Sequence, residues 1–422
     1  MAKSLSGVWI KSMGRLMKKQ QTQVNKAVKS LLAPPKPRAR RAAPRTAPSP
    51  LAPLLPWPRA AKPAAATRRK ASRAAAPVRS ARGSITAQDV RRAANQPQAP
   101  AFPYQMPARG SWTRGVFEPA DTGVGPQRDM HYWLYWPANA PATRRPLVVM
   151  LHGCGQTATE FAQGTRMNEL AQRKGFAVLY PQQSVSVETS RCWRWYDEDN
   201  QLGGGDTRTI RDLIASLQAE RAVDPARIYV AGISAGAAMA QILALRNPSM
   251  IAAVGMHSGP VFGTADSASS AFAVMQHGDA VRSERALVPI AKAAGGPISM
   301  PAMLIHGDCD KVVRSVNLMQ VARQFSWING LEGDAVHPVL RDFPPRVRGA
   351  HPRHGYRTLS YLAGGKPRLV VCQVTGLEHA WSGGVGGLRF NSAAGPDASL
   401  MLWNFFARQR RSKAVREVVA AA

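Results

Sequence analysis

The chain has 422 residues, 45% of them hydrophobic, which suits one large domain of roughly 250–300 residues with an appendage and excludes a wholly disordered protein. No run of about 18 apolar residues occurs, which excludes a spanning helix of the usual kind. Its four cysteines (Cys154, Cys192, Cys309, Cys372) are too few for a disulfide scaffold and lack CxxC spacing. The formal net charge of +31 is unevenly spread, because the first hundred residues carry 22 Lys+Arg against one acid, Asp89, and hold 13 of the 33 prolines. Such a segment cannot bury enough apolar surface to offset its ordering entropy, so most of it is expected to be disordered. Its charge suits nucleic acid or an anionic membrane, and a merely solvated tail is the bland alternative.

In residues 1–32, Leu5, Trp9, Met13, Leu16 and Met17 recur at helical spacing, with Lys11, Arg15, Lys18 and Lys19 between them. The pattern predicts a basic amphipathic helix, lying on a surface or packing on protein, and ended by Pro34 and Pro35. Residues 33–105 read as an extended Ala/Pro/Arg-rich linker. The globular part is expected over 106–410, with a short tail over 411–422.

Strands are predicted at His131–Trp136, Leu147–Leu151, Phe176–Tyr180, Ile228–Ala231, Ile251–Met256, Met303–Ile305 and Leu369–Val374. Helices are predicted near 159–173 (closed by Gly175), 206–221, 235–246, 315–328 and 397–408. Alternating strands and helices imply crossover units, so the fold class is α/β, a mainly parallel sheet with helices on both faces.

Gly232-Ile233-Ser234-Ala235-Gly236 fits G-x-S-x-G between an apolar strand and an alanine-rich helix. In that setting the serine sits on a tight elbow at the sheet's carboxyl edge, above a helix N-terminus. A serine hydroxyl needs a base, and the base needs an acid to orient it. Asp310, just past the strand AMLIHG, is the candidate acid, with Asp308 as its substitute. The ordinary alternative for either is a turn aspartate bonding its own backbone. His379, in the loop after LVVCQVT, is the candidate base. His257, His277 and His306 precede the acid in the chain, and His337, His351 and His354 lie in a Pro-rich insertion. The loop His152-Gly153-Cys154-Gly155-Gln156 follows an early strand. Its Cys154 N–H, with the Ala235 N–H, is the candidate pair of oxyanion donors. A tight glycine turn is the structural alternative there.

The segments PLVVMLHGCGQTATEFA, FAVLYPQQS, CWRWYD, RIYVAGISAGAAMA, LIHGDCDKVV and GLEHAWSGG resemble the esterase family of polyhydroxybutyrate (PHB) depolymerases. The likeness spans about residues 115–406, in family order. It implies an α/β-hydrolase fold, a Ser234-His379-Asp310 triad, and an oxyanion loop at His152-Gly153-Cys154. It also implies a serine esterase acting on short-chain hydroxyalkanoate esters, with feruloyl and acetylxylan esterases as relatives. No metal and no organic cofactor is expected.

Trp195, Trp381 and His152 are candidate substrate-contacting residues, although large aromatics such as Trp193 and Trp195 more often pack in cores. Cys154 and Cys192 fall in two of the matching segments. They are expected to stay reduced in a cytosol and able to pair in an oxidising compartment. The basic start carries no continuous apolar stretch or cleavage site, so a cytoplasmic location is expected, with association to polyester granules through the arm 1–100. An extracellular location, as for secreted members of the family, is the alternative. A binding protein of granules or nucleic acid with a vestigial hydrolase domain is the rival from another class.

Overall fold

The apolar runs LVVML, IYVA and LVVCQV become strands of one sheet because each is flanked on both faces by helices that remove it from water. The computed structural model describes residues 109–120, 128–138, 144–293, 298–332, 337–346 and 353–411. The helix expected over 1–32, the linker over 33–105 and the tail beyond Arg411 lie outside the described residues.

Ten strands form one sheet: β1 (Ser111–Phe117), β2 (Met130–Trp136), β3 (Arg145–Leu151), β4 (Ala177–Pro181), β5 (Val223–Ile233), β6 (Ala253–His257), β7 (Ala302–Gly307), β8 (Val339–Phe343), β9 (Tyr356–Ala363) and β10 (Lys366–Val374). Their order across the sheet is β1-β2-β4-β3-β5-β6-β7-β10-β9-β8. The pairs from β4 to β10 through β3, β5, β6 and β7 are parallel, while both edges are antiparallel. Every parallel strand in the centre was expected from its sequence. The strands not expected, β1, β8 and β9, lie in the antiparallel margins of the sheet and are partly or largely exposed, as in SWTRGVF and VLRDF, whose polar residues dilute the apolar signal.

Helices α1 (Ala158–Thr165), α2 (Met167–Lys174), α3 (Gly205–Glu220), α4 (Ala235–Arg246), α5 (Ala268–His277), α6 (Val316–Ile328) and α7 (Ala398–Phe406) cover the two faces. α1 starts at a reciprocal cap, in which Thr157 Oγ1 accepts the Glu160 N–H and Glu160 Oε2 accepts the Thr157 N–H. The single helix expected over 159–173 is broken at Arg166, which takes a left-handed φ of 53° and donates to Gly383 O at 2.7 Å. Gly175, also left-handed, closes α2 as expected. One core layer joins α3–α6 to the sheet, and a second packs α1, α2 and α7 on the other face, with Phe406 stacked on Tyr229. Among the described residues no helix is long and apolar enough to cross a membrane.

Because the central strands run parallel, the loops after β3, β5, β7 and β10 all emerge at one edge of the sheet. Ligand sites in open α/β sheets lie at that edge. Those four loops hold His152–Gln156, Ser234, Asp308–Asp310 and His379.

Candidate active site

Strand β5 runs straight into α4, and the residue between them, Ser234, has φ 57° and ψ −124°. A non-glycine residue holds such a backbone only where its surroundings over-determine it. Here the Ser234 N–H donates to His257 O at 3.0 Å, and its carbonyl accepts from the Ala237 and Ala238 N–H groups. A Cβ at Gly236 would run into the carbonyl oxygens of Leu151 and His152, and one at Gly232 into Gly236 itself. Both glycines of G-x-S-x-G are therefore set by close backbone approach. The elbow lifts Ser234 to the N-terminus of α4, where the helix dipole favours developing negative charge.

Asp310 and His379 meet although 69 residues separate them: His379 Nδ1 lies 2.8 Å from Asp310 Oδ2. The other carboxylate oxygen accepts the N–H groups of Val312 and Val313, both at 2.9 Å. Burial opposes the charge on Asp310, but His379, His306 and the Val313 N–H outweigh it and hold the carboxyl below the usual carboxylate range. Asp308 is exposed and accepts the Gly376 N–H at 2.7 Å, pinning the turn that leads to His379. Of the two aspartates weighed from the sequence, Asp310 is the one joined to the histidine. Among the described residues no hydrogen bond links Ser234 Oγ to His379 Nε2.

The loop after β3 is fixed from several sides. Gly153 N–H donates to Gln156 Oε1 at 3.0 Å, Gly155 N–H to Ser190 O at 2.7 Å, and Trp193 Nε1 to His152 O at 3.0 Å. A Cys154–Cys192 disulfide ties the loop to the segment that carries CWRWYD. The neighbouring amides are thus occupied, whereas the N–H groups of Cys154 and Ala235 have no hydrogen-bond partner among the described residues.

The three residues read as substrate-contacting are placed differently from that expectation. His152 is fully buried, its Nε2 accepting the Gln183 N–H at 3.1 Å and its Nδ1 lying 2.9 Å from Gly153 O. It fastens the loop to the end of β4 and presents no face to a substrate. Trp381 is 1% exposed, with its indole N–H on Ser399 Oγ and its ring between His257 and Phe161. Trp195 is 4% exposed and packs edge-on against Tyr196. Each belongs to the packing beneath the site, because an indole gains most when its whole area leaves water.

The rim holds a residue that sequence patterning missed. Phe390 is half-buried, has a left-handed φ of 57°, and sets its ring 6.3 Å from the His379 ring, edge to face. The Trp381 N–H donates to its carbonyl at 2.7 Å. Nothing in GGLRF marks it as a site residue, since the signal is a backbone conformation. Among the described residues no group of three or more His, Cys, Asp or Glu side chains is placed to hold a metal.

Three buried histidines stay neutral. Burial pushes His152 down to about 4, with Arg191 adding to the shift, and pushes His257 down to about 3, while His306 is lowered chiefly by burial. An unfolded histidine titrates near 6.5, so below that pH the unfolded chain binds protons that the folded chain refuses. Stability is therefore full above about pH 6.5 and falls as the pH drops toward the folded values. At pH 5 unfolding should take up close to two protons at His152 and His257, a slope of about 1.4 kcal/mol per pH unit for each, with His306 adding in the same direction. Thermal melts at pH 7.5, 6 and 5 should show a falling Tm, and a flat Tm over that range would contradict this.

A serine on a strand–helix elbow, an Asp–His pair at the same sheet edge and a fixed early-strand loop define an α/β-hydrolase. Residues 130–337 match the family described as esterase PHB depolymerase, and the chain belongs to that family. The poly(3-hydroxyalkanoate) depolymerase C of Paucimonas lemoignei is 28% identical over 284 residues, which cover 66% of this chain and 65% of that protein. The poly(3-hydroxybutyrate) depolymerase of Ralstonia pickettii is 31% identical over 177 residues, covering 39% and 36%. Acetylxylan esterase A of Emericella nidulans is 27% identical over 233 residues, covering 53% and 75%. The chain thus spans just under two thirds of the first depolymerase and about a third of the second. Among solved structures, the acetyl xylan esterase from Aspergillus awamori shares the fold, with a TM-score of 0.53 at 20% identity over 69% of this chain and 99% of that one.

Proposed function

We propose that the chain is a serine carboxylesterase that cleaves short-chain hydroxyalkanoate esters, polymeric or oligomeric, through Ser234, His379 and Asp310. One observation carries the reading: the bond from His379 Nδ1 to Asp310 Oδ2, at the sheet edge where the Ser234 elbow stands. With Nδ1–H donated to the carboxylate, Nε2 is left as the base. The mechanism requires the Ser234 hydroxyl to reach Nε2, a contact that often tightens only when substrate binds.

Ser234 Oγ attacks the ester carbonyl carbon while its proton passes to His379 Nε2. The carbonyl oxygen, now an oxyanion, is held by the N–H groups of Cys154 and Ala235. Collapse breaks the bond to the alkoxy oxygen, which leaves as an alcohol with the proton from Nε2. Water then attacks the acyl-enzyme, gives its proton to Nε2, and releases the acid as Ser234 recovers that proton. Asp310 stays ionised throughout, which its lowered pKa supports.

The two relatives named as polyester depolymerases favour a hydroxyalkanoate substrate. A second reading, an acetyl- or feruloyl-type carboxylesterase, is favoured by the acetylxylan esterase of Emericella nidulans. The Cys154–Cys192 disulfide favours an oxidising compartment over the cytoplasmic setting expected from the sequence.

The test is a panel of 3-hydroxybutyrate oligomers, acetylated xylan and methyl ferulate. A kcat/KM at least about ten-fold higher on the oligomers supports the first reading, and the reverse order supports the second; tenfold is about 1.4 kcal/mol of transition-state discrimination. A fluorophosphonate probe should add its mass to the peptide containing Ser234. Labelling elsewhere would overturn the mechanism.

A further inference from the structure

His257 ends β6, beside the nucleophile elbow, and takes no part in the proton transfers above. Its carbonyl accepts the Ser234 N–H at 3.0 Å. Its imidazole, fully buried, turns the other way: Nε2 lies 3.2 Å from the Ser382 N–H, and Nδ1 lies 3.1 Å from Ser258 Oγ. Ser382 is three residues past His379, on the short strand Trp381–Ser382. The ring also stacks on Trp381 at 5.1 Å. One residue therefore grips the turn that holds the nucleophile with its backbone and the loop that holds the base with its side chain.

The tautomer follows from the donors. A backbone N–H can only donate, so Nε2 must be the unprotonated nitrogen, and Nδ1–H donates to Ser258 Oγ. Ser258 is itself held in a left-handed conformation, φ 50°, with its N–H on Ile305 O at 2.9 Å. Losing the acceptor would leave the buried Ser382 amide unpaired, and the loop would shift to find a partner. Base and nucleophile must agree to within about half an ångström, so a small shift costs turnover before it costs binding.

We propose that His257 is a positioning residue that sets the distance between His379 and Ser234 by accepting the Ser382 N–H. This rests on the triad reading given above. Burial keeps the imidazole neutral, so the acceptor persists through the whole pH range in which the triad works.

The test uses the full chain and a soluble p-nitrophenyl ester, with four variants beside the wild type. His257→Phe keeps a ring on Trp381 and removes the acceptor; kcat should fall at least about thirty-fold with KM changed less than about two-fold, the split expected when only transition-state geometry is lost. His257→Gln places an amide oxygen near the Nε2 position and should return kcat to within about five-fold of wild type. His257→Asn is equally polar but one carbon shorter, cannot reach Ser382, and should remain at least about ten-fold below His257→Gln. Wild-type kcat in His257→Phe would overturn the proposal. So would equal kcat in the Gln and Asn variants, which decides the matter even if the Phe variant fails to fold. Ser234→Ala, run alongside, separates the two readings: activity surviving there refutes the triad, whereas an inactive Ser234→Ala with an unaffected His257 series refutes this proposal alone.

Discussion

Ser234→Ala is expected to lower kcat on a short-chain p-nitrophenyl ester by about 10⁴–10⁶-fold, because the reaction then lacks the nucleophile on which every other group acts. The residual rate comes from the oxyanion donors and binding alone. The protein should remain folded, with Tm within about 3 °C of wild type, since the hydroxyl makes no hydrogen bond among the described residues and its loss opens no cavity of note. Steady-state kinetics with a parallel thermal melt check both halves. Turnover within ten-fold of wild type would remove the serine from the chemistry.

The second large effect falls on the acid. Asp310→Asn is expected to cost about 10⁴ in kcat near pH 7, because the amide can turn its NH₂ toward His379 and stabilise the wrong tautomer. The carboxyl is held below its usual range, so Asp310 stays ionised between about pH 5 and 8 and its titration contributes no limb to the rate profile there. Asp308→Asn is the matched control. Asp308 accepts the Gly376 N–H on an exposed turn, away from His379, and its loss should change kcat by less than about three-fold. Equal losses in the two variants would show that the loop, and not the carboxylate on His379, matters.

The central sheet was legible in the sequence because its parallel strands are short apolar runs punctuated by glycine and loop residues, as at LVVML–HG and IYVA–GIS. The same punctuation places Ser234, Asp310 and His379 at strand ends, where a parallel sheet gathers them at one edge. The edges were not legible. β9, YRTLSYLA, mixes polar and apolar residues because one of its faces is half open. The break at Arg166 was hidden for another reason: no glycine marks the left-handed residue, and its side chain is held by Gly383, more than two hundred positions away. The same limit applies to the indoles. Trp381 beside the candidate base suggests a wall, and only its packing against Phe161 and His257 shows an internal partition. Chain order, in which His257 precedes the acid, speaks only against His257 as the base and is silent on every other role.

The backbone contact of Gly236 with the carbonyls of Leu151 and His152 has a mechanical consequence. The first turn of α4 and the chain leaving β3 touch without a side chain between them, so Ala235 and Cys154 ride on a single stiff clamp. In the proposed mechanism the anionic oxygen would enter a cradle assembled at folding. Swelling that clamp by one methyl, as in Gly236→Ala, should pry both arms apart together and cripple acyl transfer, although the altered residue touches neither substrate nor proton.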